Sequence, residues 1–112
     1  MGIMDEQYII LGELISKDLR LEDHEALLAH DDVPDLGSIH RKLSLLVAYL
    51  MEHDMHRLVN AMYRLDVSEA KFNEAMESES KEEAAIRVAD LIIEREMQKV
   101  KTRLHYKKYR KF

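Results

Sequence analysis

The sequence predicts an all-α protein, a small bundle of four to six helices that ends in a long C-terminal helix. The 112 residues include only 3 glycines and 1 proline, so few positions interrupt helices. Apolar residues recur every three or four positions, which places them on one face of a helix. With 46% hydrophobic and 35% charged residues, the composition favours a single helical domain over residues 1–112 with a modest core.

The N-terminal segment is predicted to be a helix from about Asp5 to Asp18. Its apolar arc consists of Tyr8, Leu11, Ile15 and Leu19, with Gly12 at the edge. A strand over residues 8–11 is the alternative, because those four residues are all apolar. A short helix over about residues 22–30 follows. The acidic stretch 31–37 is predicted to be a loop, since Pro34 keeps Val33 extended and Gly37 supplies a flexible joint, and Ser38 is predicted to cap the next helix.

The middle of the chain is predicted to contain two helices separated by a break. The first apolar stripe consists of Ile39, Leu43, Leu46, Val47 and Leu50. Its register would next bury the carboxylate of Asp54, which is costly without a partner. A second stripe, rotated by roughly a quarter turn, consists of Met55, Leu58, Val59, Met62 and Leu65. We therefore expect a break at residues 52–54, with Asp54 capping the second helix.

Two capping boxes are predicted to open the last two helices. In the first, Asp66 is the cap and Glu69 is the third helical residue; in the second, these roles fall to Ser80 and Glu83. The final helix is predicted to run from about Lys81 to at least Leu104. Its apolar arc consists of Ala85, Val88, Ala89, Ile92, Ile93, Met97, Val100 and Leu104.

Two segments of the C-terminal half carry a resemblance. Tyr63-Arg64-Leu65-Asp66-Val67-Ser68-Glu69, followed by Leu91-Ile92-Ile93-Glu94-Arg95 and Lys99, resembles a set of small uncharacterised bacterial helical proteins. The resemblance implies a bacterial, cytoplasmic, all-helical protein and brings no activity with it.

Several classes of function lack their sequence signals. No cysteine is present, so disulfides and thiolate chemistry are excluded. No stretch reaches the roughly 20 apolar residues of a membrane span, and the acidic N-terminus is unlike a secretory signal, so we expect a cytoplasmic protein. There is no Gly-rich phosphate loop, nucleophile elbow or calcium loop. His53 and His56 could share a metal only with further ligands, so we expect no metal site, no cofactor and no enzymatic activity.

The charge of the chain is divided unevenly along its length. Residues 1–98 hold 10 Lys/Arg and 22 Asp/Glu, a net charge of −12, whereas residues 99–112 hold 7 Lys/Arg and no acid, a net charge of +7. The basic end interleaves aromatic residues, which suits contact with phosphates and stacking on bases. It alternatively stabilises a helix C-terminus or folds against the acidic body. Its candidate nucleic-acid-binding residues are Lys99, Lys101, Arg103, Tyr106, Lys107, Lys108, Tyr109, Arg110 and Lys111.

The long amphipathic last helix predicts a partner surface. Glu96 and Arg103 lie seven positions apart on about the same helical bearing, where they either flank a seam between two helices or remain in water. We expect a non-enzymatic protein–protein interaction module that forms a homodimer through this helix, without a small-molecule ligand. The candidate interface consists of Ile92, Ile93, Glu96, Met97, Val100, Arg103 and Leu104. A nucleic-acid- or ribosome-associated protein that uses the basic end is the alternative.

Overall fold

The computed structural model describes residues 3–22, 25 and 35–109, with side chains described for 6–22, 25 and 35–106. Within these ranges the chain forms five helices and no strand: α1 (Ile3–Asp18), α2 (Leu36–His53), α3 (Met55–Leu65), α4 (Glu69–Met76) and α5 (Lys81–Tyr109). The predicted all-α class and the long C-terminal helix are confirmed. None of these helices is both long enough and apolar enough to cross a membrane.

Helix α5 is the centre of the fold, and each of the other four helices packs against it. Its 29 residues make it about 43 Å long at 1.5 Å per residue, close to the 48 Å longest extent of the molecule. The predicted stripe of α5 supplies much of the core, which also takes in the stripes of α1 and α2 and three residues of the α3 stripe, Leu58, Met62 and Leu65; Met55 of that stripe is exposed instead. The predicted alternative of a strand at residues 8–11 is therefore wrong, since these residues lie within α1.

The break between α2 and α3 lies where the two stripes predict it. The N–H group of Asp54 donates to the Leu50 carbonyl at 2.8 Å, while its side chain accepts from the Arg57 N–H at 3.2 Å. Asp54 therefore ends α2 and caps α3. The change of register keeps its carboxylate exposed while Leu58 and Leu65 are buried.

Two predicted caps are wrong. Ser38 lies inside α2, and the cap is Asp35, whose Oδ1 accepts from the Ser38 N–H at 2.9 Å; residues 36 and 37 are therefore helical rather than loop. Asp66 does not open α4: the cap is Ser68, whose Oγ accepts from the Lys71 N–H at 3.3 Å. In both cases several cap-type residues lie close together, and sequence spacing alone does not select among them.

The cap of α5 agrees with its prediction. Ser80 Oγ accepts from the Glu83 N–H at 3.1 Å, whereas the Glu83 carboxylate turns along the helix to pair with Arg87 at 2.9 Å. The predicted helix over residues 22–30 and most of the predicted loop 31–37 lie outside the described residues, apart from residues 22, 25 and 35–37.

Helices α1 and α3 both end in a left-handed residue that is not glycine. Arg20 has φ 55° and Asp66 has φ 58°. The following N–H groups close the turns: Leu21 donates to Ser16 at 2.8 Å and Val67 donates to Met62 at 3.1 Å. This is the Schellman arrangement, which most often uses glycine because a side chain is strained there.

Arginines from neighbouring helices bind the carbonyl groups at these two helix ends. Arg64 Nε of α3 donates to the Asp18 carbonyl at 3.0 Å, and Arg57 donates to the Arg20 carbonyl at 3.0 Å. At the end of α3, Arg95 Nε of α5 donates to the Leu65 carbonyl at 3.0 Å. Cationic donors at helix C-termini satisfy carbonyls that have no partner within the helix. These contacts fix the end of α1 on α3, and the end of α3 on α5.

Candidate functional site

Exposed apolar side chains lie along the outer seam between α2 and α5. Leu45 is 68% exposed, Tyr49 one turn later is 55% exposed, and Ile86 of α5 is 44% exposed. Leu45 and Ile86 line a groove of about 340 Å³, together with Ala48 and Ala85. We call this surface the α2–α5 groove. Large apolar groups that share one groove are the feature by which contact surfaces are recognised.

The polar rim of the α2–α5 groove carries both signs of charge. Arg41 and Glu82 line it and are exposed. His40 Nε2 lies 2.7 Å from Asp90 Oδ1 and so joins α2 to α5 at the groove. Ser44 is one turn from His40, but its hydroxyl donates to the His40 carbonyl at 2.8 Å. The three residue types of a hydrolase triad are thus close together without the serine–imidazole hydrogen bond that activates the nucleophile.

A second, smaller groove lies between α3 and α4. It encloses about 150 Å³ and is lined by Val59, Met62, Tyr63, Val67, Glu69, Phe72 and Asn73. Tyr63 is 72% exposed and lies on its outer edge. Val59 and Met62 of the predicted α3 stripe and Phe72 of α4 supply the apolar part of this lining.

The predicted interface on α5 is largely occupied within the chain itself. Ile92, Glu96 and Val100 are 0% exposed and Ile93 is 9% exposed. Met97 and Leu104 are half-buried against the same core, and only Arg103 is fully on the surface. The alternative in which Glu96 and Arg103 both remain in water is wrong, because Glu96 is buried. The stripe of α5 is covered by α1 and α2, and an amphipathic pattern does not tell whether its cover comes from the same chain or another.

Glu96, which is completely buried, lies in a cluster with the partly exposed Asp18 and Lys99, which we call the acid–lysine cluster. Lys99 Nζ lies 3.0 Å from Asp18 Oδ2 and 3.2 Å from Glu96 Oε1. Neither oxygen of Glu96 has a hydrogen-bond partner of good geometry among the described residues. The cluster joins the last residue of α1 to the middle of α5. Sequence reasoning missed it because Asp18 and Glu96 are far apart in the chain.

Burial and charge act on the proton affinities of this cluster. Desolvation raises the pKa of Glu96 to about 7, and the neighbouring Asp18 carboxylate adds to this rise against the opposing effect of Lys99. Burial lowers the pKa of Lys99, but the two carboxylates outweigh it and the net direction is upward. Lys99 therefore stays charged near neutral pH, while Glu96 divides between its two protonation states.

The candidate nucleic-acid-binding residues divide into three groups. Lys99 belongs to the acid–lysine cluster, so this residue follows the alternative in which the basic end folds against the acidic body. Lys101, Arg103 and Tyr106 are exposed near the end of α5. Lys107, Lys108 and Tyr109 lie in the last turn of α5, beyond the described side chains, and Arg110 and Lys111 lie outside the described residues.

The histidines at the break between α2 and α3 belong to different helices. His53 ends α2, where its ring lies 4.6 Å from that of Tyr49 and its Nε2 lies 3.9 Å from Glu52; His56 belongs to α3. Across the ranges the structure describes, no three His, Asp or Glu side chains come together in a way that could hold a metal ion.

The chain matches no protein-family model, no curated protein and no solved structure.

Proposed function

We propose that this chain is a non-enzymatic, cytoplasmic protein–protein interaction module that self-associates through the α2–α5 groove. The single observation that carries the proposal is the exposure of Leu45 and Ile86, which line one groove, with Tyr49 exposed one turn after Leu45. The long last helix predicts self-association, and α5 contributes one wall of the proposed interface. The contacting residues belong to its first turns rather than to its buried centre.

The apolar groups at the groove can supply a useful part of a dimer's stability. Burying a large aliphatic side chain completely is worth about 1.5–3 kcal/mol. Leu45 and Ile86 are about half-exposed, so covering both on each of two copies contributes on the order of 4 kcal/mol. The remainder of a stable interface, typically about 800 Å² per partner, would come from the faces of α2 and α5 around the groove.

The charges of the rim fit a second copy of the same chain. Arg41 lies on the α2 wall of the groove and Glu82 lies on the α5 wall. In a dimer with two-fold symmetry the same patch faces itself, so Arg41 of one copy can approach Glu82 of the other, twice. A surface that carries both signs on opposite walls is self-complementary in charge.

Sedimentation velocity from 5 to 500 μM tests the proposal. We expect wild type to dimerise and Leu45→Glu to stay monomeric. The two introduced carboxylates would otherwise be brought together with Glu82 of each copy in one apolar seam. Tyr63→Glu is the matched control, since it makes the same change of character at an exposed site on α3, and it should dimerise as wild type does. Arg41→Glu should weaken the dimer, and combining it with Glu82→Arg should restore it. A monomeric wild type, or a dimeric Leu45→Glu, would refute the proposal.

Nucleic-acid binding through the end of α5 is the second candidate. It is favoured by the exposure of Lys101, Arg103 and Tyr106 in a segment with net charge +7. Anisotropy of a labelled single-stranded RNA should show affinity that falls steeply between 50 and 200 mM salt. The double variant Lys101→Gln/Arg103→Gln should bind more weakly, with Lys42→Gln on α2 as the control. Salt-independent binding would exclude this candidate.

A further inference from the structure

We propose that the acid–lysine cluster is a proton-controlled latch between α1 and α5, tight when Glu96 carries a proton and loosened when Glu96 ionises. The cluster consists of Asp18 at the last position of α1 and of Glu96 and Lys99, less than one turn apart on α5. This role is independent of the proposed self-association, because the cluster does not line the α2–α5 groove.

The count of charges in the cluster makes one of its three groups difficult to ionise. Lys99 supplies one positive charge and faces two carboxylates, at 3.0 and 3.2 Å. When both acids are ionised, the site holds an uncompensated negative charge. Glu96 is the group least able to bear it, since it is 0% exposed and neither of its oxygens accepts a well-formed hydrogen bond from the described residues.

A single proton on Glu96 removes this uncompensated negative charge. A neutral Glu96 can donate its O–H to Asp18, which then keeps its contact with Lys99 and balances the ammonium. This arrangement satisfies both carboxyl groups and leaves no net charge in the cluster. The pKa of Glu96, about 7, places the change of state near neutrality.

The other charged contacts at the end of α1 come from α3. Arg64 Nε donates to the Asp18 carbonyl at 3.0 Å, and an Arg57 N–H group lies 3.4 Å from the Leu19 carbonyl. These bonds use main-chain acceptors and an always-charged donor, so they do not change near neutral pH. Ionisation of Glu96 therefore acts on the contact with α5 and leaves the attachment to α3 in place.

The direction of the pH effect follows from linkage. Between about 4.5, the ordinary pKa of a glutamate, and about 7, the folded chain holds a proton on Glu96 that the unfolded chain has lost. Stability therefore falls as pH rises through this window and levels off above it. Relative to a permanently neutral residue 96, the unfolding equilibrium constant should rise on the order of a hundredfold between pH 5 and pH 8.

Urea unfolding of the full chain at half-unit steps from pH 5 to pH 8 tests the latch. The ratio of the unfolding constants of wild type and Glu96→Gln should grow by about that factor with pH. The six histidines are common to both proteins, so the ratio cancels any contribution from them. Glu94→Gln, at an exposed position two residues away, is the matched control and should give a ratio to wild type that stays flat.

Asp18→Asn is the second variant. It should reduce the pH dependence of stability, because Lys99 then faces only the carboxylate of Glu96 and can balance its charge. Hydrogen exchange gives an independent measure of loosening. After correction for intrinsic rates, protection of the Leu19 and Leu21 amides should decline above pH 7 in wild type and persist in Glu96→Gln. A flat ratio for Glu96→Gln, an unchanged pH dependence in Asp18→Asn, or equal amide protection in wild type and Glu96→Gln would each overturn the latch.

Discussion

Replacing Arg57 with methionine removes one of the two arginine side chains of α3 that bind the end of α1. Its two terminal nitrogens lie 3.0 and 2.8 Å from the two oxygens of Glu25, and one of them also donates to the Arg20 carbonyl at 3.0 Å. The Glu25 hydrogen bond raises the pKa of Arg57, consistent with a tight pair. Methionine keeps much of the aliphatic stem, so the change isolates the guanidinium.

The expected cost of Arg57→Met is about 3 kcal/mol. Breaking a buried ion pair by removing one partner costs about 3–5 kcal/mol, because the other charge remains uncompensated. The side chains are 26% and 11% exposed, so water recovers part of this loss, while the lost bond to the carbonyl adds about 1 kcal/mol. The total is a large fraction of the roughly 5–15 kcal/mol that stabilises an ordinary domain.

Urea unfolding followed by circular dichroism at 222 nm measures this loss. With a slope of about 1.5 kcal/mol per molar, the midpoint should fall by about 2 M. Arg87→Met is the control, since Arg87 pairs with Glu83 at 2.9 Å on the exposed side of one helix, where such pairs contribute about 0.5 kcal/mol or less. The loss of stability in Arg57→Lys should lie between the two, because lysine keeps the positive charge but cannot bind both oxygens of Glu25 with two nitrogens. If Arg57→Met lost no more stability than Arg87→Met, the reasoning would be refuted.

Three other substitutions test local features, each by urea midpoint. Asp54→Ala should cost about 1 kcal/mol through loss of the cap on α3, and an unchanged midpoint would contradict that role. Arg20→Gly should stabilise by up to about 1 kcal/mol, because glycine tolerates a φ of 55° without strain; a marked loss would show that the Arg20 side chain matters more than its backbone. Ile92→Ala should cost about 3 kcal/mol, since Ile92 is completely buried in this chain's own core; a small cost would count against that burial.

The helical stripes and the break at Asp54 could be predicted because each depends on neighbours in sequence. An apolar residue every three or four positions defines a face, and a carboxylate at the centre of that face ends it. The stripes of α1, α2 and α5 and three residues of the α3 stripe accordingly form the core. Ser80 could be recognised as a cap for the same reason, since its partner Glu83 is three residues away.

The candidate site was not predictable in the same way, because it depends on how helices are covered. Glu96 lies beside the stripe of α5, and its burial depends on the packing of helices that are distant in sequence, such as α1 with Asp18. Leu45 follows the buried Leu43 by two positions, about 200° around the helix, so a leucine opposite the stripe was the one available signal for the groove. Asp66 is a frequent cap type that here takes the left-handed position, which sequence spacing does not reveal.

The arginines that bind the ends of α1 and α3 make these helices depend on distant parts of the chain. Arg57 and Arg64 reach the end of α1 from more than thirty residues away, and Arg95 reaches the end of α3 from thirty residues away. A glycine would favour the end of a helix even in an isolated peptide, whereas the arginine contacts at these two ends form only once the helices have docked. Synthetic peptides of α1 or α3 should therefore fray at their C-termini, and the intact chain should lose its helices together in one cooperative transition.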